Sequence, residues 1–169
     1  EMASEEGVGT VFRVTVPLTV AANQTTEQGL AALVGLRALV VDGNAVHRST
    51  LAYTLHSWGF VVDQAPSAEE ALHNFGWTGE SDGDSGYALA VIERNLDGMG
   101  GVDLARHLHR NQVSSKTVIL LLSPTMDLTR QAAKDAGIES VLIRPVRTSY
   151  LLRRIVDALI TQPAAAEAE

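Results

Sequence analysis

The sequence predicts a doubly wound α/β fold, with five parallel strands in a central sheet and helices on both faces. Between residues 36 and 160, five short apolar runs alternate with five segments of helical periodicity. Because a parallel pair of strands needs a long crossover connection, this alternation indicates a single parallel sheet. The runs are continuously apolar, which is typical of strands that are covered on both faces.

Each predicted strand is a short apolar run that ends at a turn or a polar residue. In chain order the predicted strands are Ala38–Val41, Phe60–Val62, Ala88–Ile92, Thr117–Leu122 and Ser140–Ile143. The segments between them place apolar residues three and four positions apart, as on one face of a helix. In chain order the predicted helices are Ala45–Trp58, Ser67–Phe75, Val102–Arg110, Met126–Ala136 and Thr148–Leu159.

Local signals mark several helix boundaries. Gly59 and Gly137 each follow a helical segment, and glycine commonly ends a helix because it adopts a left-handed backbone readily. Ser67-Ala-Glu-Glu70 matches a capping box, in which the serine and the glutamate satisfy backbone N–H groups of the first turn. The second helix is therefore expected to begin at Ser67.

The regions on either side of the main domain differ from it in composition. Residues 1–20 alternate apolar and polar side chains and end at Pro17-Leu18, which predicts one strand. Residues 21–30 are small and polar, which predicts a linker over residues 21–35. Residues 161–169 are rich in alanine and glutamate, as in a tail. The main domain is thus predicted over residues 36–160.

Composition excludes several classes of function. The 169 residues carry a formal net charge of −7, which argues against DNA or RNA as the main partner. The absence of cysteine excludes thiolate metal sites and cysteine nucleophiles. No apolar run reaches the roughly 18 residues of a membrane span, so we expect a cytoplasmic domain without membrane contact. The five histidines lie on predicted helices, and most are expected to face solvent.

Four polar residues stand where predicted strands end. In chain order they are Asp42, Glu93, Ser123 and Arg144. Pro145 follows the last of them, and a proline makes a cis peptide bond accessible. In an open parallel sheet the working site lies beyond the carboxyl ends of the strands. We therefore expect two acids, a hydroxyl and a guanidinium at one edge of the sheet.

The order and spacing of these motifs resemble those of response-regulator receiver domains, over about residues 35–160. The similar segments are Leu36–Asn44 (first strand and acidic turn), Tyr87–Ala105 (phosphoacceptor strand and the following loop), Ile119–Pro124 (hydroxyl strand) and Val141–Val146 (lysine–proline motif). The resemblance implies a flavodoxin-like (CheY-like) sheet with the strand order 2-1-3-4-5.

The sequence departs from this family at the residues that carry its chemistry. Where the family has an aspartate that accepts phosphate, this chain has Glu93, and Gly43 stands where a second acid helps to hold Mg²⁺. Arg144 replaces the lysine that pairs with the phosphoryl group, and Val141 replaces an aromatic switch residue. Because in-line attack needs fine placement, the longer acid predicts a pseudo-receiver, a receiver that is not phosphorylated.

Two further expectations concern this pocket. The loss of one acid weakens a magnesium site, so we expect no resident cofactor and only weak Mg²⁺ binding by Asp42, Glu93 and the Asn95 carbonyl. The arginine guanidinium is planar and can donate two parallel hydrogen bonds to a carboxylate, whereas the lysine ammonium is a compact charge. We therefore expect a bidentate Arg144–Glu93 pair to close the pocket.

The first twenty residues resemble part of a different family. Gly7-Val-Gly9-Thr10-Val-Phe12, followed by Pro17-Leu18, is similar to the last glycine box and final strand of the histidine-kinase ATP-binding domain. The resemblance implies a hybrid sensor kinase, in which a receiver follows the kinase catalytic domain. Only the end of that catalytic domain is represented in this sequence, so the fragment itself is not expected to be an enzyme.

Three functions remain open on the sequence alone. In the first, a non-phosphorylatable module docks on the catalytic and dimerisation domains of its own kinase, through the face that receivers use for partners, about residues 126–158. In the second, arginines near the last strand and helix bind a cyclic dinucleotide such as c-di-GMP. The residues of that site would be Arg144, Pro145, Arg147, Tyr150 and Arg154. In the third, Glu93 or Asp97 accepts phosphate with altered chemistry.

Overall fold

A computed structural model of the chain describes residues 2–5, 9–12, 15, 24–74, 86–110, 118–125 and 128–160, and the predicted tail at 161–169 lies outside them. The strands are β1 (Met2–Glu5), β2 (Gly9–Phe12), β3 (Arg37–Val41), β4 (Val61–Ala65), β5 (Tyr87–Glu93), β6 (Val118–Ser123) and β7 (Ser140–Ile143). The helices are α1 (Gln24–Leu33), α2 (Ala45–Ser57), α3 (Ala68–Asn74), α4 (Gly101–Arg110), α5 (Arg130–Asp135) and α6 (Thr148–Ile160). Within the described residues, none of these helices has both the length and the apolar character of a membrane span.

The main sheet contains five parallel strands in the order β4-β3-β5-β6-β7. Counted within this sheet the order is 2-1-3-4-5, which confirms the predicted flavodoxin-like, CheY-like fold. Val41 lies opposite Ala65 of β4 and Ile92 of β5. Glu93 lies opposite Leu122 of β6. The carboxyl ends of the strands therefore meet at one edge, where the residues that follow each strand come together.

The strands of the sheet are buried on both faces because helices cover each face. Leu39 and Ile92 point into one core, which α3, α4 and α5 cover. Their neighbours Val40 and Val91 point into the other core, beneath α1, α2 and α6. Successive residues of a strand face opposite sides, so continuous apolar runs are required here. Each fully buried side chain of this size contributes about 1.5–3 kcal/mol to folding.

The described part of the first twenty residues contains two strands, so the prediction of a single strand is wrong. β1 and β2 pair antiparallel as a hairpin, with Met2 opposite Phe12. Gly9 opens β2 with a φ of 135°, a backbone conformation that glycine adopts readily and other residues rarely do. The glycine pattern therefore marks a reversal of the chain, which the alternation of apolar residues alone did not reveal. Gly7 and Pro17 lie outside the described residues.

Helix α1 lies within residues 21–35, where the sequence predicted only a linker. Leu33 is fully buried in the core beneath α2 and α6. Gly29 packs on α6 so closely that an added Cβ would lie 3.1 Å from a methyl carbon of Val156. Among the described side chains of α1, Leu30 and Leu33 pack into this core. Two apolar residues are too few to reveal a helical period in the sequence. The division of the chain into domains stays a prediction.

A hydrogen-bonded cluster links three strands near the amino-terminal edge of the sheet. Tyr87 donates its hydroxyl to Oδ2 of Asp63 at 2.6 Å, and Nη2 of Arg37 donates to the same oxygen at 2.7 Å. Burial favours a higher pKa for Asp63, but the two hydrogen bonds outweigh it and hold that pKa below its ordinary value. Burial and the neighbouring carboxylate raise the pKa of the Tyr87 hydroxyl.

Candidate functional site

The four polar residues predicted at the strand ends lie at the carboxyl edge of the sheet, but they do not form one cluster. Asp42 follows β3 and Glu93 ends β5, and both side chains are almost fully buried. Arg144 follows β7 and reaches across to both acids. Ser123 ends β6, is fully buried, and forms its hydrogen bonds elsewhere.

A single nitrogen of Arg144 meets both acids. Nη2 donates to Oδ2 of Asp42 at 2.7 Å and also contacts Oε2 of Glu93 as an ion pair. The expected bidentate Arg144–Glu93 pair is therefore wrong. Because β3 and β5 are neighbours in the sheet, the two carboxylates lie side by side, and the guanidinium inserts one nitrogen between them rather than facing either acid with two.

The remaining carboxylate oxygens of this cluster accept backbone hydrogen bonds. Oδ1 of Asp42 accepts from the Asn44 N–H at 2.8 Å, and Oε1 of Glu93 accepts from the Asn95 N–H at 3.1 Å. Mg²⁺ needs a near-octahedral set of oxygens, but a guanidinium nitrogen lies between the two acids. Among the described residues, no group of three or more histidine, aspartate and glutamate side chains is placed to hold a metal. In this arrangement a magnesium ion would reach both acids only after the guanidinium moved aside.

His47 belongs to the cluster, although the sequence did not single it out among the five histidines. Its Nδ1 lies 3.1 Å from Nη1 of Arg144 and 4.0 Å from Oδ2 of Asp42. The His47 side chain is 55% exposed, and it lies on the solvent side of the guanidinium. Asn44 caps α2 by accepting from the Val46 and His47 N–H groups. The sequence signal was this asparagine directly after the acidic turn, because it starts a helix at the edge of the sheet.

The Ser123 hydroxyl faces the loop after β6 rather than the acids. It donates to the Thr125 carbonyl at 2.8 Å and accepts from the Thr125 N–H at 3.2 Å. Nη1 of Arg94 reaches the same loop, at 3.2 Å from the Thr125 hydroxyl and 3.4 Å from the Ser123 hydroxyl. Arg94 was not predicted as a site residue. The prediction took the polar residue that ends each apolar run (the strand-end rule), and an arginine that follows this residue ordinarily points into solvent.

An open pocket of about 400 Å³ lies above the two acids. Its charged and polar residues include Asp42, Asn44, His47, Glu93, Asp97 and Arg144. Glu69 of α3 fixes the loop that carries Asp97, since its Oε1 accepts from the Met99 N–H at 2.9 Å, and this bond lowers the pKa of Glu69. Three acids and one arginine leave the pocket without surplus positive charge to attract a phosphoryl group.

The structure divides the arginine group that was predicted as an anion site. Arg144 is engaged by the acids, and Arg154 donates to the Ser140 hydroxyl at 2.8 Å. A separate surface groove of about 530 Å³ is lined by Pro145, Arg147, Tyr150 and Arg153, among others. The Arg153 guanidinium lies 5.6 Å from the centre of the Tyr150 ring, as in a cation–π contact. Arg144 and Arg154 therefore fall outside this groove, and Arg153 belongs to it.

Comparison with known proteins agrees with the fold. The sequence matches the family described as the response regulator receiver domain over residues 38–156. The chain belongs to this family. The receiver is 32% identical over 120 residues to the two-component response regulator PhoP of Pseudomonas aeruginosa, a match that covers 71% of this chain and 50% of PhoP. It is 26% identical over 155 residues to the sensor protein EvgS of Escherichia coli (strain K12), covering 89% of this chain and 12% of EvgS.

A solved receiver structure shares the fold. The response regulator receiver domain protein from Clostridium thermocellum superposes with a TM-score of 0.61 at 21% identity, covering 73% of this receiver chain and 93% of that chain. This likeness shows the fold alone. The chain spans half or less of the length of the curated relatives PhoP and EvgS.

Proposed function

We propose that this receiver is a pseudo-receiver, which does not carry phosphate on aspartate. The observation that carries the proposal is the position of Arg144, whose Nη2 meets the carboxylates of both Asp42 and Glu93. Phosphoryl transfer depends on a metal ion to neutralise charge on the phosphate. That ion would first have to displace the guanidinium, and Glu93 would have to leave its ion pair before it could attack a phosphodonor.

In this proposal the domain regulates a hybrid histidine kinase by docking rather than by catalysis. The docking face comprises α5, β7 and α6, and its partners are the catalytic and dimerisation domains of the same kinase. Two observations support a kinase context: the resemblance of residues 1–18 to the end of a kinase catalytic domain, and an alignment with EvgS that covers more of the chain than residues 38–156. The fragment is then not an enzyme, holds no cofactor, and works in the cytoplasm without contacting DNA or membrane.

A phosphodonor assay tests the first part of the proposal. The wild-type chain, incubated with acetyl phosphate and Mg²⁺, is expected to keep its unmodified intact mass. The matched control is the triple variant Gly43→Asp, Glu93→Asp, Arg144→Lys, which restores the family's residues and is expected to gain one phosphoryl group. Gly43 has room for the new side chain, because the nearest atom to an added Cβ would be the Pro66 carbonyl oxygen at 3.7 Å. A stoichiometric acyl phosphate on Glu93 or Asp97 of the wild type would overturn the proposal.

Docking is tested in the full-length parent kinase. Lys134 of α5 and Arg153 of α6 are exposed on the docking face, so replacing both with glutamate is expected to change the rate of autophosphorylation. The control is Glu70→Lys on α3, which lies on another part of the surface and is expected to leave the rate unchanged. Equal rates in all three proteins would count against docking through this face.

The groove beside α6 supports a second candidate, binding of a cyclic dinucleotide such as c-di-GMP. Arg147 and Arg153 are exposed, and within the described residues neither has a carboxylate partner. Guanidinium groups suit phosphate, and the Tyr150 ring offers a face on which a base can stack. Calorimetry with c-di-GMP should show saturable binding that Arg153→Ala abolishes and Arg130→Ala on α5 leaves intact. Absence of binding heat for the wild type would remove this candidate.

A further inference from the structure

A cavity of about 260 Å³ lies beside the acidic pocket, between α2, the loop after β7 and the start of α6. Its walls are largely apolar and are formed by Leu51, Leu122, Val146 and Leu151. These four side chains come from α2, β6, the loop after β7 and α6 respectively. Because its lining comes from separate elements, this open cavity is a product of the fold rather than a groove along one helix.

The charges bordering this cavity already have partners within the protein. Arg144 lies between the cavity and the acidic pocket, where it meets Asp42 and Glu93. Asp42 also lines the cavity, and its carboxylate accepts from Arg144 and from the Asn44 N–H. Burial of a charge that gains no new partner costs free energy. A ligand of this cavity is therefore expected to be uncharged.

Two hydroxyl groups are available for polar contacts with such a ligand. Thr50 of α2 and Thr148 of α6 line the cavity, and within the described residues neither side chain makes a hydrogen bond. The cavity is open to solvent, and its volume of about 260 Å³ leaves room for a molecule of two fused rings.

We propose that this cavity is a binding site for a small, uncharged, mainly apolar molecule that carries a hydrogen-bonding group and is about the size of indole. The bound molecule packs against the side of Arg144 and His47 that faces away from the acidic pocket. It thereby holds the guanidinium on the two acids and links occupancy of the cavity to the geometry of the pocket. The cavity shares Asp42, His47 and Arg144 with the acidic pocket, but Leu51, Leu122 and Leu151 belong to the cavity and not to that pocket. The proposal does not depend on the proposed function.

The test is a titration of the whole chain with indole, followed by NMR of the methyl groups. Saturable shifts are expected at Leu51, Leu122, Val146 and Leu151, together with the His47 ring. Thr50→Phe places an aromatic ring at the mouth of the cavity from an exposed position on α2 and is expected to weaken binding by about tenfold or more. Ser49→Phe adds the same ring at the neighbouring exposed position, outside the cavity lining, and is expected to bind as the wild type does.

A second blocking variant keeps the test decisive if one substitution disturbs folding. Thr148→Phe enters the cavity from α6 instead of α2, and urea unfolding shows whether each variant keeps the native fold. The proposal is overturned if indole causes no saturable shift in the wild type. It is equally overturned if folded Thr50→Phe or Thr148→Phe binds indole as tightly as Ser49→Phe does.

Discussion

Nη2 of Arg144 lies 2.7 Å from Oδ2 of Asp42, and the same nitrogen contacts Glu93, so one guanidinium compensates two buried acids. Arg144→Ala removes the counter-ion of both carboxylates at once. Breaking a buried ion pair by removing one partner is strongly destabilising. We predict that urea unfolding will show a loss of about 3 kcal/mol or more for this variant. The control is Arg153→Ala, an exposed arginine on α6, which is expected to change stability by less than about 0.5 kcal/mol.

Glu93→Ala is predicted to be milder than Arg144→Ala. Arg144 keeps its hydrogen bond to Asp42 in this variant, and its side chain is 28% exposed, so water can solvate the rest. We expect a loss of about 1 kcal/mol in the free energy of unfolding. The pair predicted from the sequence would give a larger loss, because in that pair Glu93 is the only partner of Arg144. A loss equal to that of Arg144→Ala would contradict the bridging geometry.

Stability is predicted to fall at both ends of the pH scale because of the Asp63–Tyr87 cluster. The folded state lowers the pKa of Asp63, so its contribution is complete above the ordinary value of 3.8 and is lost as the pH falls below it. The folded state raises the pKa of Tyr87, so its contribution is complete below the ordinary value of 10.0 and is lost as the pH rises above it. Tyr87→Phe should remove most of the alkaline loss.

The midpoint of urea unfolding, measured across the pH range, shows both the acidic and the alkaline loss of stability. Tyr53→Phe is the matched control, because the Tyr53 side chain is exposed on α2. A Tyr87→Phe variant with the same alkaline loss as the control would show that the cluster does not shape the pH profile.

Glu69→Ala is predicted to loosen the loop after β5. The Glu69 carboxylate accepts the Met99 N–H at 2.9 Å, and this bond holds the loop against α3. Without this acceptor the loop is expected to open more often, so the Met99 amide should exchange faster than in the wild type. Hydrogen exchange at the Met99 amide measures the effect, with Glu70→Ala as the neighbouring control. Unchanged exchange in Glu69→Ala would mean that other contacts hold the loop.

Leu33→Ala is predicted to destabilise the receiver, because α1 packs into its core. Leu33 is fully buried beneath α2 and α6, and truncation of such a leucine costs about 2–4 kcal/mol. Val34→Ala is the control, since the adjacent Val34 is 68% exposed. Chemical unfolding compares the two variants. Equal, small effects would show that α1 is only a linker, as its composition suggests.

The sheet was predictable because its strands are continuous apolar runs. The residues at which individual strands begin and end were not predictable. β4 extends to Ala65 through the polar residues Asp63 and Gln64, beyond the predicted end at Val62. Pairing with β3 keeps these residues in the strand, and Asp63 is held by Arg37 and Tyr87. Hydrophobic periodicity within a short segment cannot predict a hydrogen-bond partner that lies more than twenty residues away in the sequence.

The candidate site was predictable as a place but not as a set of contacts. Parallel strands bring Asp42, Glu93 and Arg144 to one edge, and the strand-end rule finds all three. Which atoms meet depends on the reach of side chains across the edge, for example His47 to Arg144 over 97 positions in the sequence. That reach is set by the helix start at α2 and the turn after β7, neither of which is encoded in hydrophobic periodicity.

The Arg144 guanidinium has a consequence for timing. A phosphoryl group is added and then lost by hydrolysis, so the duration of the signal it carries is a chemical lifetime. The Arg144 guanidinium is part of the chain and stays protonated at physiological pH. In the proposed pseudo-receiver, a signal that acts at this edge of the sheet would therefore last only as long as the molecule that carries it stays bound.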